Sequence, residues 1–364
     1  MRVLVLAIAV LGGGGLSAVA AEVVYLAVVP GYSIEFPRDE GSHPQFRTEW
    51  WYVTGWLETP QGEPLGFQVT FFRTRPGTQE DNPSRFAAKQ VLFAHAALSD
   101  SRRGKLLRGE RAAREGFELA YARTGGLDVA IDDWSLRRLD DGDTQTAVYR
   151  AVADAADFSL DLQLRAQSPP LLNGNGGYSQ KGPDPESASY YYSRPGLQVE
   201  GTLRTVAGTQ RVRGEAWLDH EWSTAFLDSQ ARGWDWIGLN LDDGSALMAS
   251  RIRDAAEAQR WAFASVRSGQ TGEVQTFAPD EIDWRPLRRW RSPRTGIEYP
   301  VEWQVRVGAR TLRLRPSMDD QESDTRESTG IIYWEGAVTA FDEQDRAIGR
   351  GYLELTGYGA KLRF

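Results

Sequence analysis

The chain has 364 residues with no cysteine, three histidines and a formal net charge of −8. That length exceeds one ordinary hydrophobic core and predicts two domains. The lack of cysteine excludes disulfides, thiol nucleophiles, iron–sulfur clusters and cysteine-type zinc sites. Three scattered histidines are weak grounds for an all-histidine metal site. The acidic balance argues against nucleic acid as a partner. The informative excess is aromatic, with 13 tryptophans, 13 tyrosines and 14 phenylalanines.

The N-terminus has the layout of a secretory signal peptide. Arg2 precedes an apolar run from Val3 to Leu11, glycines follow, and Ala18-Val19-Ala20 forms a small-residue cleavage signature. The alternative is a membrane anchor, but the run is shorter than the roughly 20 residues that span a bilayer. We therefore expect removal of residues 1–20 and a mature protein that is periplasmic or secreted.

The rest of the chain is predicted to form short β-strands. Aromatic and β-branched residues alternate with charged ones in the runs 68–73, 202–206 and 301–307. Asp141-Gly142 and Asp242-Asp243-Gly244 are typical of hairpin turns. The stretch from Asp254 to Trp261 is compatible with a short helix. The segment 168–187, rich in proline and glycine, and the acidic segment 319–328 are predicted to be loops. Many short strands indicate a sandwich or a barrel.

A repeat is visible at one spacing. The same 135 residues separate Glu200-Gly201 from Glu335-Gly336 and the segment 214–219 from the segment 349–354. The segments that open at Glu49 and at Gly233 also correspond loosely. Chance similarity among aromatic-rich strands is the alternative, but the constant spacing favours a duplicated β-barrel. The predicted domains are residues 30–228 and 229–364.

Three aromatic motifs could line a cavity. In the segment 49–52, the alternation of a strand places Trp50 and Tyr52 on one face and Trp51 on the other. A core cluster explains these rings, although Glu49 beside them fits a core poorly. The segment 190–192 has three consecutive tyrosines, of which one face can be core and the other a surface or cavity lining. The segment 234–236, Trp-Asp-Trp, is either a strand start with a capping aspartate or part of the same cavity.

The fourth motif, residues 217–222, concentrates chemically active groups. On an extended chain Trp217, Asp219 and Glu221 share one face, whereas His220 and Trp222 share the other. One interpretation is a turn aspartate bonded to histidine at a strand end. The other is a proton donor in an aromatic pocket, because burial favours the neutral form of a carboxyl group. In that interpretation His220 would orient Asp219 or restore its proton.

These motifs resemble a known family. The segments 43–55 (His-Pro-x-Phe-Arg-Thr-Glu-Trp-Trp-Tyr with a following glycine), 66–73, 218–222 and 233–236 look like those of AttH-type lipocalin-like proteins. That family is related to carotenoid 1,2-hydratase, also called hydroxyneurosporene synthase. The resemblance runs from about His43 to the C-terminus. It implies an all-β fold of two tandem lipocalin-like antiparallel β-barrels and a hydrophobic ligand such as an isoprenoid or lipid.

The resemblance also implies an activity. Asp219 stands where hydratases and terpenoid cyclases of this group carry their acid, so Asp219 and His220 are the predicted catalytic pair, with no metal and no cofactor. Protonation of a C=C bond needs a neutral acid in an apolar site, and ketosteroid isomerase keeps a carboxylic acid protonated in such an environment. The predicted ligand-binding residues come from all four motifs: Glu49, Trp50, Trp51, Tyr190, Tyr191, Tyr192, Trp217, Trp222, Trp234, Asp235 and Trp236.

Two other function classes stay open. One is a non-catalytic periplasmic carrier of a lipophilic molecule, which a barrel interior suits, and which could contact a membrane or serve an exporter. The other is a carbohydrate-binding protein, which predicts a flat, exposed tryptophan platform. A buried Asp219 with few partners would favour the enzyme, an Asp219 fully used in a turn would favour the carrier, and an enclosed cavity would reject carbohydrate binding.

Overall fold

The computed structural model describes residues 23–139 and 146–361. Within those ranges the chain forms strands and two 3-10 turns, Arg38–Glu40 and Pro279–Glu281, with no α-helix. No helix in the described ranges is long and apolar enough to cross a membrane. The predicted signal peptide and the predicted turn at Asp141-Gly142 lie outside the described residues.

The first half of the chain forms one large antiparallel sheet. Its strands β1 to β13 are, in chain order, Thr48–Glu58, Pro64–Thr74, Val91–Ser99, Leu107–Arg114, Ala120–Ala122, Asp128–Ile131, Trp134–Arg138, Val148–Asp154, Phe158–Arg165, Leu171–Leu172, Tyr178–Gln180, Ala188–Thr205 and Gly208–Ala225. The strand order is β4-β3-β2-β1-β13-β12-β9-β8-β7-β6-β5, and β10 and β11 also pair with β12.

The second half forms another antiparallel sheet. Its strands β14 to β23 are Gly233–Leu241, Ala246–Arg253, Gln259–Arg267, Val274–Phe277, Ile282–Arg291, Glu298–Val307, Arg310–Pro316, Glu322–Thr325, Ile331–Phe341 and Ala347–Leu355. The strand order is β17-β16-β15-β14-β23-β22-β20-β19-β18, and β21 also pairs with β22. The predicted all-β architecture of two tandem antiparallel units is confirmed.

The two sheets share one strand order. The series from β4 to β7 in the first sheet matches the series from β17 to β18 in the second. Tyr52 of β1 pairs with Asp219 of β13, and Trp236 of β14 pairs with Glu354 of β23. Asp219 and Glu354 are thus equivalent, as the repeat predicted.

One match of the repeat is wrong. Glu200 pairs with Arg213 across β12 and β13, whereas Glu335 pairs with Glu354 across β22 and β23. Because Glu354 corresponds to Asp219 and not to Arg213, the two Glu-Gly pairs are not equivalent. The residue equivalent to Glu335 is Ser193, which pairs with Asp219, because the β12–β13 hairpin is longer: 26 positions separate Ser193 from Asp219, whereas 19 separate Glu335 from Glu354.

Alternating side chains divide the interior into three apolar clusters. The first sheet encloses one cluster that includes Trp51, Val53 and Trp134, and the second encloses another that includes Ile237 and Trp303. A third cluster takes its members from both sheets and lies where they meet: Tyr52, Trp56, Leu171, Tyr191, Trp217, Trp236, Ala246, Met248, Ala337 and Tyr352. Burial of these rings from both sides holds the two sheets together.

Three local predictions need correction. The segment from Asp254 to Trp261 is not a helix, because the Asp254 carboxylate accepts hydrogen bonds from the amides of Ala256 and Ala258 and forms a turn before β16. The segment 168–187 is a loop that also contains β10 and β11. The segment 319–328 is not simply a solvated loop, since it includes β21, where buried Glu322 accepts hydrogen bonds from Ser292 and Thr295.

Candidate functional site

A cavity lies where the two sheets meet, and about 770 Å³ of space free of protein atoms, part of it open solvent, surrounds it. Strands β1, β2, β12 and β13 of the first sheet and β14, β15, β16, β22 and β23 of the second contribute its wall. Nine aromatic side chains line it: Trp50, Tyr52, Phe72, Tyr191, Phe226, Trp234, Trp236, Phe263 and Tyr333. Four carboxyl groups share this wall: Asp219, Glu221, Glu335 and Glu354.

Asp219 is a buried carboxyl group in the middle of β13. Its Oδ1 accepts hydrogen bonds from Ser193 Oγ at 2.5 Å and Trp217 Nε1 at 2.6 Å, and its Oδ2 accepts one from the Tyr191 hydroxyl at 2.7 Å. Burial raises the pKa of Asp219 to about 7, although these three donors oppose the rise. Asp219 can therefore hold or release a proton near neutral pH.

Glu335 and Glu354 face each other across β22 and β23. Burial, and then the neighbouring Glu354 charge, holds the pKa of Glu335 well above its usual range. Burial also raises the pKa of Glu354 to about 7, against a hydrogen bond of 2.8 Å that Trp234 Nε1 donates to its Oε2. The pair brings two further proton-holding groups to the cavity from the second sheet.

Lys181 is the one basic side chain among the described residues that line the cavity. Its ammonium lies 2.9 Å from Glu221 Oε1, and it sits over the rings of Tyr191 at 4.6 Å and Phe263 at 4.0 Å. Burial lowers the pKa of Lys181, while Glu221 opposes that effect. This ion pair compensates one of the four carboxyl groups.

The AttH-like family model matches residues 27–358, which is nearly the whole chain. The chain belongs to the AttH-like family. A protein from Nitrosomonas europaea described as an AttH has a crystal structure with 51% sequence identity, a TM-score of 0.85, and coverage of 92% of this chain and 99% of its own. Comparison with curated proteins gave no match.

Two more distant solved structures share the fold of this AttH-like protein. Kievitone hydratase from Nectria haematococca is 15% identical with a TM-score of 0.68, and the alignment covers 93% of this chain and 97% of that one. CghA in complex with Sch210972 is 13% identical with a TM-score of 0.52, covering 93% and 98%. At these identities the likeness concerns the fold, which is lipocalin-like as the resemblance implied.

Five of the predicted site residues line the cavity of the AttH-like protein: Trp50, Tyr191, Asp219, Trp234 and Trp236. Trp217 lies behind them, with its indole on Asp219. The alternation of side chains along a strand explains why these residues line the cavity and their neighbours do not, because these residues occupy the strand faces that meet between the sheets. The fourth motif is a strand and not a turn, so the interpretation of Asp219 as a turn residue is wrong.

The predicted partnership of His220 with Asp219 is wrong. His220 points to the opposite face of β13, where its Nε2 lies 2.9 Å from Glu49 Oε1 and its ring stacks on Trp51 at 4.8 Å. Glu49 also accepts a hydrogen bond from Arg73 Nε at 2.9 Å. These groups lie inside the first sheet, so His220, Glu49 and Trp51 do not reach the cavity between the sheets.

Four more predicted ligand-binding residues also lie off this cavity wall. Trp222 stacks on the His43 ring at 3.9 Å, and the Tyr190 hydroxyl donates a hydrogen bond of 3.0 Å to the Val29 carbonyl. Tyr192 is buried in the core of the first sheet. Asp235 accepts hydrogen bonds from Arg251 and Arg253 on the opposite face of β14 from Trp234 and Trp236. Their neighbours along the chain take the cavity positions because successive strand residues alternate.

One group has the ligand types of a metal site. The ligand atoms of His43, Glu49 and His220 lie within 4.8 Å of one another. Glu49 is already occupied, since Arg73 and Ser42 donate to its Oε2 while both histidines contact its Oε1. The arrangement matches a hydrogen-bonded core network, in which Arg73 supplies the positive charge.

Several residues that line the cavity were not predicted from the sequence. Glu335, Tyr333, Phe263 and Lys181 stand in segments whose pattern indicates an ordinary strand or loop. Glu354 could have been predicted, because the repeat aligns it with Asp219. Carbohydrate binding on a platform is disfavoured, since none of the 13 tryptophans, all of them in the described ranges, is exposed.

Proposed function

We propose that this AttH-like protein binds a hydrophobic molecule, such as an isoprenoid or lipid, between its two sheets, and that Asp219 protonates a C=C bond of that molecule. The observation that carries the proposal is the buried Asp219 carboxyl group on the wall of an aromatic cavity. A carboxyl group whose pKa is about 7 is neutral in a sufficient fraction of molecules to act as an acid.

The proposed reaction balances within the site. The Asp219 proton adds to one alkene carbon, and the π electrons form that C–H bond, which leaves a carbocation at the other carbon. Aromatic faces such as those of Trp50 and Trp236 stabilise the cation by roughly 0.5–2 kcal/mol per ring. Water then adds to the cation and loses a proton to the Asp219 carboxylate, which gives an alcohol and restores the acid. In a cyclase an internal alkene attacks the cation instead of water, and the new carbocation loses a proton from an adjacent carbon to the Asp219 carboxylate, which gives a cyclic alkene and restores the acid.

Two relatives support this chemistry. Kievitone hydratase is named as a hydratase, and its fold covers nearly the whole of this chain. CghA was crystallised with Sch210972, which is consistent with a ligand site in this fold. The sequence resemblance to carotenoid 1,2-hydratase points in the same direction.

The test begins with the ligand. Native mass spectrometry of the protein purified from its own host identifies a co-purifying lipophile, and turnover is then followed in D₂O, where hydration places deuterium on carbon. We expect Asp219→Asn to lower turnover by about 10²–10⁴-fold. Asp243→Asn, in the exposed turn between β14 and β15, is the matched control. Full turnover by Asp219→Asn would refute the acid role.

A specific observation favours the second candidate, a non-catalytic carrier. Three donors bind Asp219, so the group is buried but not poor in partners. A carrier would bind the same lipophile and release it unchanged, and Asp219→Asn would leave the affinity within about twofold of the wild type. Deuterium incorporation by the wild type separates the enzyme from the carrier.

We also propose that the protein is exported, and that a transient contact with a membrane or transporter delivers or removes the ligand. The sequence pattern of residues 1–20 supports export. The intact mass of the protein from its own host tests this, because cleavage after Ala20 leaves Ala21 as the first residue. A retained N-terminus, or recovery from the cytoplasm alone, would refute it.

A further inference from the structure

Glu335 is a buried acid without a partner in the ligand cavity. It is 2% exposed, and neither carboxylate oxygen receives a hydrogen bond from any residue in the described ranges. The hydroxyl groups of Tyr52 and Tyr333 face it and lower its pKa, without reaching ordinary hydrogen-bond geometry. The Tyr52 hydroxyl is likewise buried and unpartnered. Buried polar atoms without partners are rare in folded proteins and need a reason.

The cavity also lacks a positive charge for Glu335. The single lining basic group among the described residues, Lys181, is held by Glu221 at 2.9 Å. The other two carboxyl groups, Asp219 and Glu354, accept hydrogen bonds from neutral indoles and hydroxyls. Three carboxyl groups therefore share one aromatic wall without a neutralising cation, which favours a positively charged guest.

We propose that the ligand of this cavity is a lipophilic cation, an apolar body with one amine or quaternary ammonium group that lies beside Glu335 and the Tyr52 hydroxyl. Aromatic walls such as Trp234 and Trp236 suit both parts, because their faces bind apolar chains and attract cations. The inference rests on the proposed function only in taking the same cavity as the binding site.

Proton linkage follows from the groups around Glu335. Glu354 and Tyr352 face it from β23, Tyr52 from β1 and Tyr333 from its own strand. The remaining charged groups of the wall are Asp219, Glu221 and Lys181. Burial and the Glu354 charge keep Glu335 protonated above the pH at which a glutamate usually ionises, and a bound cation favours its ionised form. Binding of a cation therefore releases protons, and the affinity rises with pH.

The experiment compares two probes of equal chain length, decyltrimethylammonium and decanol, by calorimetric titration of the full chain. We expect the wild type to bind the ammonium at least about tenfold more tightly than the alcohol, with an advantage that grows between pH 5 and pH 8. Glu335→Gln should remove about tenfold of the ammonium affinity and leave decanol within about twofold, as expected for loss of one charge-assisted contact. Glu343→Gln, exposed in the turn after β22, controls for net charge.

The outcomes separate this inference from the proposed function. If the wild type binds decanol as tightly as the ammonium or more tightly, the proposal of a cationic ligand is refuted, whether or not any variant folds. That result does not affect the proposed role of Asp219 as an acid. A Glu335→Gln protein that melts like the wild type and keeps its ammonium affinity also overturns it. Binding of neither probe overturns both the cation and the hydrophobic cavity ligand. Loss of turnover in Asp219→Asn supports the role of Asp219 as the acid and does not test the binding of a cation.

Discussion

Asp219 and Glu354 occupy equivalent positions in the two sheets and face the same cavity. Asp219 accepts a hydrogen bond from the indole of Trp217 at 2.6 Å, and Glu354 accepts one from the indole of Trp234 at 2.8 Å. Burial raises the pKa of each group to about 7. Each sheet thus contributes one acid to a shared site.

Replacing Asp219 should change how stability depends on pH. The pKa of Asp219 is about 7 in the folded protein and roughly 3.9 in the unfolded chain, so its contribution to the free energy of unfolding is full below pH 4 and is lost as the pH rises to 7. The loss is up to about 4 kcal/mol for a shift of that size. Asp219→Asn should flatten this part of the profile in urea denaturation from pH 4 to pH 8. Parallel profiles for the variant and the wild type would contradict the raised pKa.

Removing Glu49 should destabilise the first sheet. Glu49 is the carboxylate that pairs with buried Arg73, and although burial opposes ionisation, the Arg73 and His43 charges hold the pKa of Glu49 well below its usual range. We expect Glu49→Gln to lower the free energy of unfolding by about 3–5 kcal/mol at pH 7, because a buried guanidinium loses its counter-charge. Glu58→Gln, at the exposed end of the same strand, should cost at most about 1 kcal/mol. Equal losses of stability in the two variants would show that buried Arg73 does not need the Glu49 carboxylate as its counter-charge.

His95 should make the protein sensitive to acid through a bridge between the sheets. His95 Nδ1 lies 2.9 Å from the Tyr333 hydroxyl and Nε2 lies 3.0 Å from Ser328 Oγ. Burial lowers the pKa of His95 to about 3, whereas an unfolded histidine has a pKa of roughly 6.5. Its contribution to stability is therefore full above pH 6.5 and is lost as the pH falls to 3, opposite in sign to that of Asp219.

We expect His95→Gln to lose less stability than the wild type between pH 6.5 and pH 3 in the same denaturation assay. The variant should also be about 1–3 kcal/mol less stable at pH 7, since Tyr333 and Ser328 lose a buried partner. Ser328→Ala keeps the imidazole and should retain the pH profile of the wild type. A His95→Gln profile as steep as that of the wild type would contradict the neutral buried histidine.

Lys181 should compete with a cationic ligand. Its ammonium compensates Glu221 on the cavity wall, so Lys181→Met leaves a further carboxylate free to attract a positive charge. We expect the variant to bind decyltrimethylammonium about tenfold more tightly in calorimetric titration, while decanol affinity stays within about twofold. Lys89→Met removes an exposed lysine and is the control for net charge. Unchanged or weaker ammonium binding by a folded Lys181→Met protein would contradict the prediction.

Residue types and their spacing predict the all-β fold class and the two-sided character of the motifs, and the resemblance of those motifs to a known family indicates the family. Alternation with a period of two separates Trp50 from Trp51, and Asp219 from His220, and the structure places each pair on opposite faces as predicted. The repeat aligned Asp219 with Glu354 without any coordinates. It failed at Glu200 because the β12–β13 hairpin is longer than the β22–β23 hairpin, with 26 positions from Ser193 to its partner Asp219 against 19 from Glu335 to Glu354, and a constant spacing cannot follow a change in hairpin length.

Tertiary packing selects which face of each strand forms the site. Alternation gives two faces but does not state which one meets the other sheet, so His220 and Asp235 were as plausible as Asp219 and Trp236. The docking of two sheets brings Glu335 to the cavity beside Tyr52, although 283 positions separate them along the chain. Contacts between such distant residues depend on how complete surfaces pack, and no local pattern of residue types encodes that arrangement.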